Sequence, residues 1–265
     1  MQLTKKLAVI TGASSGLGTV FAQRLSARGY RVLLVARRAD RLEALRQTLG
    51  APAEIYPCDL ADPAGTEQLA LFLRQRSDVA LLVNNAGFGT QGKFHETDYG
   101  RQVDMVHVHV LATMRLTRAV LPAMIQAGAG AIINVSSVAA YFRSAGNVSY
   151  CATKGWMNDF TEGLRIELDA LRSPVVVQAL CPGFTYTEFH DTMGINRAQI
   201  PQWLWMPAEY VVDQSLDALE SRKVFVIPNW KYRLAAAFSA RLPSSWRLAL
   251  EKSSPHKRDL SGGQR

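Results

Sequence analysis

A tyrosine and a lysine stand four residues apart in the segment SYCATKGW, residues 149–156, as Tyr150 and Lys154. Residues at i and i+4 are neighbours on one face of a helix, so this spacing places a phenol beside an ammonium group. A nearby cation favours the phenolate and lowers the pKa of the phenol, which would let Tyr150 act as an acid and a base near neutral pH. The alternative is that both residues belong to an ordinary helix surface. The motifs in the rest of the chain distinguish these two interpretations.

Short apolar runs alternate with longer helical patterns along the chain. The candidate strands are residues 7–11, 31–36, 53–57, 80–85, 131–136, 175–180 and 223–227. Their nearly continuous hydrophobicity is typical of strands covered on both faces in a parallel sheet. Strands that alternate with crossover helices in this way predict a single-domain, doubly wound α/β fold.

The segment TGASSGLG, residues 11–18, follows the first candidate strand and opens the first candidate helix. Such a turn lets the backbone approach a pyrophosphate, and the helix N-terminus behind it offers free N–H groups. The glycine spacing here is GxxxGxG. The turn predicts cofactor contacts from Gly12, Ser14, Ser15, Gly16, Leu17 and Gly18.

The end of the second candidate strand bears on the choice of cofactor. Ala36 stands where an acidic residue would accept hydrogen bonds from the adenosine ribose, and Arg37 and Arg38 follow it. An arginine here can form charge-assisted bonds to a 2′-phosphate, so we predict NADP(H), with Arg37 as its ligand and NAD(H) as the alternative. Both arginines could instead be solvated in a loop. Asp59 and Leu60, after the third strand, are predicted to contact the adenine.

Two polar segments end the next strands. LVNNAG, residues 82–87, ends the fourth candidate strand, and INVSS, residues 133–137, ends the fifth. Ligands of parallel sheets bind outside the carboxyl ends of the strands, so these segments and the glycine turn should open onto one crevice. We therefore predict that Asn85, Ala86 and Gly87 contact the cofactor. The alternative is that Asn84 and Asn85 satisfy backbone groups of the loop.

Together these motifs resemble the short-chain dehydrogenase/reductase (SDR) family. TGASSGLG, NNAG, the serine that ends the fifth strand, YCATK and PGFTYT occur in the order of that family, over roughly residues 5–190. The resemblance implies a Rossmann-like parallel sheet of seven strands. It also implies a nicotinamide cofactor and hydride transfer at a carbinol or carbonyl carbon.

The resemblance also implies roles for single residues. Tyr150 would donate a proton to a carbonyl oxygen during reduction, or accept one during oxidation. Lys154 would lower the pKa of that phenol and bond the nicotinamide ribose. Ser137, which lies 13 residues before Tyr150, would hold the substrate oxygen. The segment PGFTYT would wrap the nicotinamide through Pro182, Gly183, Thr185 and Thr187, with Thr187 at its carboxamide.

One position departs from the family pattern. An asparagine usually continues a proton relay from the helix before the fifth strand, and His109 occupies that place here. Two interpretations stay open. His109 could hold a water or shuttle a proton, or it could be a buried, hydrogen-bonded helix residue.

Residues 186–208 are predicted to form a lid over the substrate. This segment is rich in large apolar residues, namely Phe189, Met193, Ile195, Trp203, Leu204, Trp205 and Met206. With Tyr141 and Phe142 they predict a small substrate with a hydrophobic body that carries a carbonyl or an alcohol group. The alternative is that they pack the lid onto the body.

The chain divides into a dinucleotide-binding and catalytic domain, residues 1–227, and a basic, apolar-rich extension, residues 228–265. The whole net charge of +8 lies in residues 221–265, because residues 1–220 contain 20 Lys/Arg and 20 Asp/Glu. A nucleic-acid partner is therefore not expected. Leu234, Phe238 and Leu242 follow an i, i+4, i+8 pattern in this extension, interrupted by Arg241. The family resemblance implies that the extension packs on a neighbouring subunit, in a homodimer or homotetramer. Weak peripheral contact with a membrane is the alternative.

Several classes of protein are disfavoured by the sequence. We expect no signal peptide and no spanning helix, and the three cysteines lack the spacing of a metal site. The prediction is a cytoplasmic, NADP(H)-dependent carbonyl reductase or alcohol dehydrogenase, with peripheral contact at the inner membrane face left open. The alternatives are an NAD-dependent alcohol dehydrogenase and a non-catalytic nucleotide-binding regulator on the same fold.

Overall fold

Seven parallel strands form one sheet in the part of the chain that the computed structural model describes, residues 6–189 and 200–253. They are β1 Leu7–Thr11, β2 Arg31–Ala36, β3 Ala53–Pro57, β4 Val79–Asn84, β5 Ala131–Val135, β6 Val176–Leu180 and β7 Phe225–Val226. Their order is β3-β2-β1-β4-β5-β6-β7. The predicted fold class, a doubly wound α/β sheet, is confirmed.

Helices connect and cover the strands. They are α1 Gly16–Ala27, α2 Ala39–Thr48, α3 Pro63–Arg74, α4 Tyr99–Val106, α5 Thr113–Ala127, α6 Val148–Ala170, α7 Ala208–Ala218, α8 Trp230–Arg241 and α9 Ser244–Ser253. A π-helical turn, His107–Ala112, joins α4 to α5, and 3₁₀ turns lie at Val138–Tyr141 and Gln202–Leu204. Asp62 starts α3 by accepting hydrogen bonds from the N–H groups of Ala64 and Gly65, as expected for an N-cap residue.

The strand order puts the topological switch between β1 and β4. After β1 the chain builds β2 and β3 on one side, and after β3 it crosses back to build β4 to β7 on the other. Connections that diverge in this way leave a crevice at the carboxyl ends of the two central strands. The glycine turn after β1 and the NNAG segment after β4 both open onto it.

Two apolar layers hold the helices to the sheet. Helices α1, α2 and α7 pack on one face, where Phe21 and Val212 are fully buried. Helices α3, α5 and α6 pack on the other face, where Leu73 and Leu116 are fully buried. Every residue of β1 is buried, which explains its uninterrupted hydrophobic run.

The edge strand β7 is shorter than the segment predicted for it, residues 223–227. Only Phe225 and Val226 pair, with Ala179 and Leu180 of β6. Lys223 precedes them and is exposed at the edge of the sheet. Charged residues are common where an edge strand stops pairing, and this strand is accordingly short.

Helices α4 and α5 form one continuous run with the π-helical turn between them, Tyr99–Ala127. Among the described residues it is the one helix long and apolar enough to cross a membrane by length and composition. About half of its most apolar window is buried, with Leu116 and Val120 in the core. A core helix meets the same test, so this is weak evidence for a spanning segment.

The described part of the predicted extension packs onto the body. The Tyr232 hydroxyl donates to the carbonyl oxygen of Leu204 at 2.8 Å and accepts from the Phe184 N–H at 3.1 Å. The Ser239 hydroxyl donates to the carbonyl oxygen of Tyr141 at 2.7 Å. Helix α8 therefore forms part of the wall above the carboxyl ends of the strands.

Candidate active site

The glycine turn has the backbone shape that the sequence predicts. Gly12 and Gly16 have φ values of +66° and +55°, in the left-handed region that favours glycine. A side chain at Gly18 would overlap the carbonyl oxygen of Gly12. Asn85 braces the turn, because its side-chain amide donates to the carbonyl oxygen of Thr11 at 2.8 Å. The asparagine thus supports the turn through its side chain.

The N-terminus of α1 is open towards the cleft. Ser15 precedes the helix without a capping bond from its side chain, and the first turn contains no acidic residue. A Cβ on Gly16 would come within 3.2 Å of Thr187, so the turn lies directly against the PGFTYT segment. Free helix N–H groups within a glycine cradle fit the pyrophosphate of a dinucleotide.

One cavity of about 1070 Å³ lies above the sheet. Its volume is close to the upper end of the ~300–1,000 Å³ usual for a ligand pocket, and its lining extends from the glycine turn to Tyr150 and Lys154. The predicted residues that line it are Gly12, Ser14, Ser15, Gly16, Leu17, Arg37, Asp59, Leu60, Asn85, Ala86, Gly87, Ser137, Tyr150, Lys154, Pro182, Gly183, Thr185 and Thr187. Gly18 and His109 do not line this cavity.

Two arginines flank the end of the cavity that is predicted to hold the adenosine, and they do so in different ways. Arg37 is largely exposed and lies 3.7 Å from the Asp59 carboxylate. Arg38 turns towards the glycine turn, where its Nη2 donates to the Ser14 hydroxyl at 3.1 Å. The sequence could not separate these adjacent arginines, because the direction of the Arg38 side chain depends on Ser14, which is 24 residues away in the chain. Arg38 is a cofactor candidate that the sequence-based site omitted.

The catalytic candidates lie at the other end. Ser137 follows β5, and its hydroxyl accepts a bond from the Ala139 N–H at 3.1 Å and donates a long one to the Pro182 carbonyl oxygen at 3.5 Å. Tyr150 is in the first turn of α6. Lys154 follows one turn later and lies 5.8 Å from the centroid of the Tyr150 ring. The i,i+4 arrangement is therefore present, and it lies inside the cleft.

Burial dominates the electrostatics of the pair. Burial raises the pKa of Tyr150 to about 12, although a hydrogen bond with Ser137 opposes this. Burial lowers the pKa of Lys154 to about 7, and its ammonium donates to the carbonyl oxygen of Val135 at 2.7 Å. The expected lowering of the phenol pKa is thus not found in the protein alone. Tyr150 holds its proton at neutral pH, which suits a proton donor.

His109 lies in the π-helical turn and is fully buried. Its Nε2 accepts from the Phe88 N–H at 3.2 Å, and its Nδ1 lies 2.9 Å from the Thr153 hydroxyl. That hydroxyl donates to the Tyr150 carbonyl oxygen at 3.0 Å, so Nδ1 must carry the proton it shares with Thr153. Burial and the nearby Lys154 hold the pKa of His109 well below its usual value.

Both ring nitrogens of His109 therefore already have protein partners. A Cβ on Gly87 would come within 2.7 Å of Nε2, so the NNAG segment packs directly on the ring. This geometry matches the interpretation of His109 as a buried, hydrogen-bonded residue. A relay through the ring would require one of these bonds to open.

Large apolar side chains line part of the cavity, namely Phe88, Phe142, Phe184, Phe189 and Ile200. Gln91, Arg101 and Asp104 line it as well, and the Arg101 guanidinium lies 5.3 Å from the centroid of the Phe88 ring. The Phe189 ring lies 5.9 Å from that of Tyr150. Tyr141 faces away, towards Cys181 and Asn158.

The predicted lid residues separate into three groups. Phe189 lines the cavity, Trp205 and Met206 are buried against the body, and Trp203 is exposed. Trp205 stacks on Tyr186 at 5.1 Å between ring centroids. Met193 and Ile195 lie outside the described residues.

Tyr232 is a site residue that the sequence did not reveal. It lies in α8, lines the cavity, and packs so closely that a side chain on Gly183 would overlap its ring. The sequence contained one indication of this position. Tyr232 stands two residues before Leu234, so the two side chains lie on opposite faces of a helix and Tyr232 does not belong to the apolar row of Leu234.

Comparison with known proteins identifies the family. Residues 6–197 match the short chain dehydrogenase family. The uncharacterized oxidoreductase YmfI of Bacillus subtilis is 31% identical over 242 residues, which are 85% of this chain and 98% of that protein.

Solved structures agree with that match. A short-chain dehydrogenase from Sphingobium yanoikuyae in complex with NADPH is 31% identical, has a TM-score of 0.79, and covers 98% of this chain and 96% of its own. The bulky-bulky ketone specific alcohol dehydrogenase from Comamonas testosteroni is 26% identical, has a TM-score of 0.75, and covers 98% and 95%. The chain therefore belongs to the short-chain dehydrogenase/reductase family and is an NAD(P)-dependent oxidoreductase.

Proposed function

We propose that the protein uses NADPH to reduce the carbonyl group of a hydrophobic substrate, with Tyr150 as the proton donor. The observation that carries this proposal is a buried phenol with a pKa of about 12, hydrogen-bonded to Ser137, in the same cavity as the glycine cradle. Such a phenol is protonated at neutral pH and is ready to donate to an oxygen that gains negative charge.

The chain's own residues divide the work in this scheme. The glycine turn and Asn85, Ala86 and Gly87 hold the dinucleotide against the sheet, and Thr187 orients its carboxamide. When bound, the nicotinamide supplies a hydride to the carbonyl carbon. The Ser137 hydroxyl, held to the protein by a long 3.5 Å bond, exchanges that bond for one to the substrate oxygen.

Proton transfer runs through Tyr150 and Lys154. The Tyr150 hydroxyl gives its proton to the substrate oxygen as the hydride arrives. The Lys154 ammonium then stabilises the phenolate and bonds the ribose hydroxyls of the cofactor. With a pKa of about 7, Lys154 can also take up and release a proton at neutral pH. Oxidation of an alcohol uses the same residues in reverse.

Two features support NADP(H) over NAD(H). Position 36 is an alanine, so no carboxylate is present there to accept hydrogen bonds from the ribose hydroxyls. Arg38 already bonds Ser14 of the glycine turn, and Arg37 stands beside it. The related Sphingobium yanoikuyae structure contains NADPH.

The apolar wall supports a hydrophobic substrate. Four phenylalanine side chains line the cavity, and the ring of one of them, Phe189, lies 5.9 Å from that of Tyr150. The similar Comamonas testosteroni enzyme is specific for ketones with two bulky groups. We include a homodimer or homotetramer in the proposal, since exposed Met114 on α5 and Ile166 on α6 could pack against a second subunit.

The test is a panel of hydrophobic ketones assayed by the consumption of NADPH and, separately, of NADH. Arg38→Ala should raise the KM for NADPH about tenfold and leave that for NADH unchanged, because one charge-assisted hydrogen bond is lost. Arg37→Ala should act in the same direction. Arg46→Ala is the matched control, since Arg46 bonds Glu43 at 2.6 Å within α2 and neither residue lines the cavity.

Faster turnover with NADH, unchanged in both variants, would instead support the NAD-dependent dehydrogenase. Tight NADPH binding with no turnover of any ketone or alcohol would support the non-catalytic regulator.

A further inference from the structure

Helix α8 and the neighbouring turn Gln202–Leu204 carry an exposed apolar surface, here called the tryptophan face. Each of its side chains is more than half exposed. Its members are Trp203, Trp230, Leu234 and Phe238. An apolar patch of this kind on a folded surface marks a site of interaction.

Folding does not use this surface. Helix α8 is anchored through its opposite side, where Tyr232, Ala236 and Ser239 are buried. Leu234 and Phe238, one turn apart, point outwards and are 62% and 63% exposed. The helix thus has two apolar faces, which is why its sequence pattern does not give one clean stripe.

Cations surround the tryptophan face. Lys231, Arg233 and Arg241 lie on α8 beside its residues, Arg247 follows on α9, and residues 223–250 contain no Asp or Glu. Within residues 6–189 and 200–249, none of these four cations forms an ion pair. The Lys231 ammonium lies 4.1 Å from the centroid of the Trp203 ring, so it links the turn at Gln202–Leu204 to α8.

We propose that the tryptophan face docks on the surface of an anionic lipid bilayer. Tryptophan, leucine and phenylalanine side chains would enter the interface, and the four cations would meet the lipid phosphates. The long stems of arginine and lysine let the charge stay at headgroup level while the apolar rings go deeper.

A second copy of the chain fits this face less well. In a two-fold symmetric dimer the same patch meets itself. Four cations would then face four cations, with no carboxylate on either patch to pair with them. Like charges brought together across an interface oppose association, whereas an anionic bilayer complements them.

Docking would bring the cleft close to the bilayer. Tyr232 lines the cavity from the inner side of α8, so one helix, about 10–12 Å in diameter, would separate the cavity from the lipid surface. The proposal does not depend on the reaction proposed above, because it concerns a surface outside the cavity.

The experiment is co-sedimentation of the full chain with vesicles. One set contains phosphatidylcholine alone, and the other an equimolar mixture of phosphatidylcholine and phosphatidylglycerol. The intact protein should pellet with the anionic vesicles, and added salt should weaken binding because it screens the four cations. Leu234→Ser with Phe238→Ser should lower the partition coefficient at least about tenfold.

The matched control carries the same change elsewhere. Leu71→Ser with Leu171→Ser alters two leucines that are also exposed, at 46% and 65%, but lie on α3 and at the end of α6. It should bind vesicles like the intact protein. Titration of both double variants with NADPH, measured through their tryptophan fluorescence, verifies that they are folded if they bind NADPH like the intact protein.

Failure of the intact protein to pellet with anionic vesicles would overturn the proposal. So would equal binding by the Leu234→Ser/Phe238→Ser variant. If that variant instead lowers the molecular mass measured by light scattering, the occupant of the face is a second subunit, and the proposal is also wrong.

Discussion

The two ends of the cleft use opposite physical means. The proposed nucleotide end is formed by backbone, with glycines where a side chain would collide, and by exposed arginines such as Arg37, which is 71% exposed. The proposed proton-transfer end is formed by buried side chains, with Tyr150, Lys154 and His109 at most 9% exposed. The first end presents backbone shape and solvated charge. The other changes the acidity of its groups by withdrawing them from water.

This difference predicts how substitutions should act. Exposed charges contribute little individually, since water and salt screen them. Buried ionisable groups carry large desolvation effects. Changes at the proton-transfer end should therefore alter the rate and the pH dependence of stability, while changes at the nucleotide end should alter shape or binding.

The largest effect should come from Tyr150→Phe. It removes the donated proton and leaves the ring in place, so kcat should fall about 10²–10⁴-fold while the Kd for NADPH stays unchanged. Steady-state kinetics and a fluorescence titration measure the two quantities. Tyr141→Phe is the control, because Tyr141 does not line the cavity. A similar loss in both variants would contradict a role specific to Tyr150.

Lys154→Met tests desolvation directly. The folded protein holds the lysine at a pKa of about 7, whereas the unfolded chain titrates at 10.5. Between these values the unfolded state binds more protons, so the lysine's contribution makes stability rise with pH across this window. The difference in the free energy of unfolding, wild type minus variant, should therefore increase by up to about 4 kcal/mol between pH 7 and pH 10.

Urea denaturation of both proteins at several pH values measures this gain. Parallel curves for wild type and variant would show that burial does not perturb the lysine. Since the variant also lacks the bond to the Val135 carbonyl, the change with pH is the informative quantity, rather than the stability at any single pH.

Gly18→Ala tests the shape of the nucleotide end. The added methyl would overlap the Gly12 carbonyl oxygen and come within 2.7 Å of the Asn85 amide nitrogen. Overpacking of this kind destabilises by about 1–3 kcal/mol, and we expect weaker NADPH binding with an unchanged pH profile. Gly163→Ala is the control, since a Cβ there meets nothing within 4 Å. It should stabilise α6 by ~0.5–1 kcal/mol.

The smallest effect on rate should follow from His109→Asn. An amide can still donate and accept, so kcat should stay within about tenfold of the wild type, with no change of the pH profile between pH 6 and 8. His109→Ala leaves Phe88 N–H and Thr153 without their partner and should lower stability by about 2 kcal/mol. A complete loss of activity in the asparagine variant would mean that the ring itself acts in the reaction.

Much of the scaffold could be predicted from sequence, because its signals are local. The runs at residues 7–11, 31–36 and 53–57 became strands with those bounds. The site motifs lie at strand ends, so topology alone brings them together. Other features depend on three-dimensional contacts. The direction of Arg38, the burial that raises the pKa of Tyr150, and the two bonds of His109 all arise from neighbours distant in sequence.

The hydrogen bonds of Tyr232 have a consequence for how the protein is made. A ribosome produces the glycine turn before α8, yet the wall beside Gly183 is complete only when the Tyr232 ring covers it. A nascent chain that has not reached residue 230 has all the motifs of the family and an unfinished cleft. Closure of the reaction chamber therefore has to wait for the synthesis of α8.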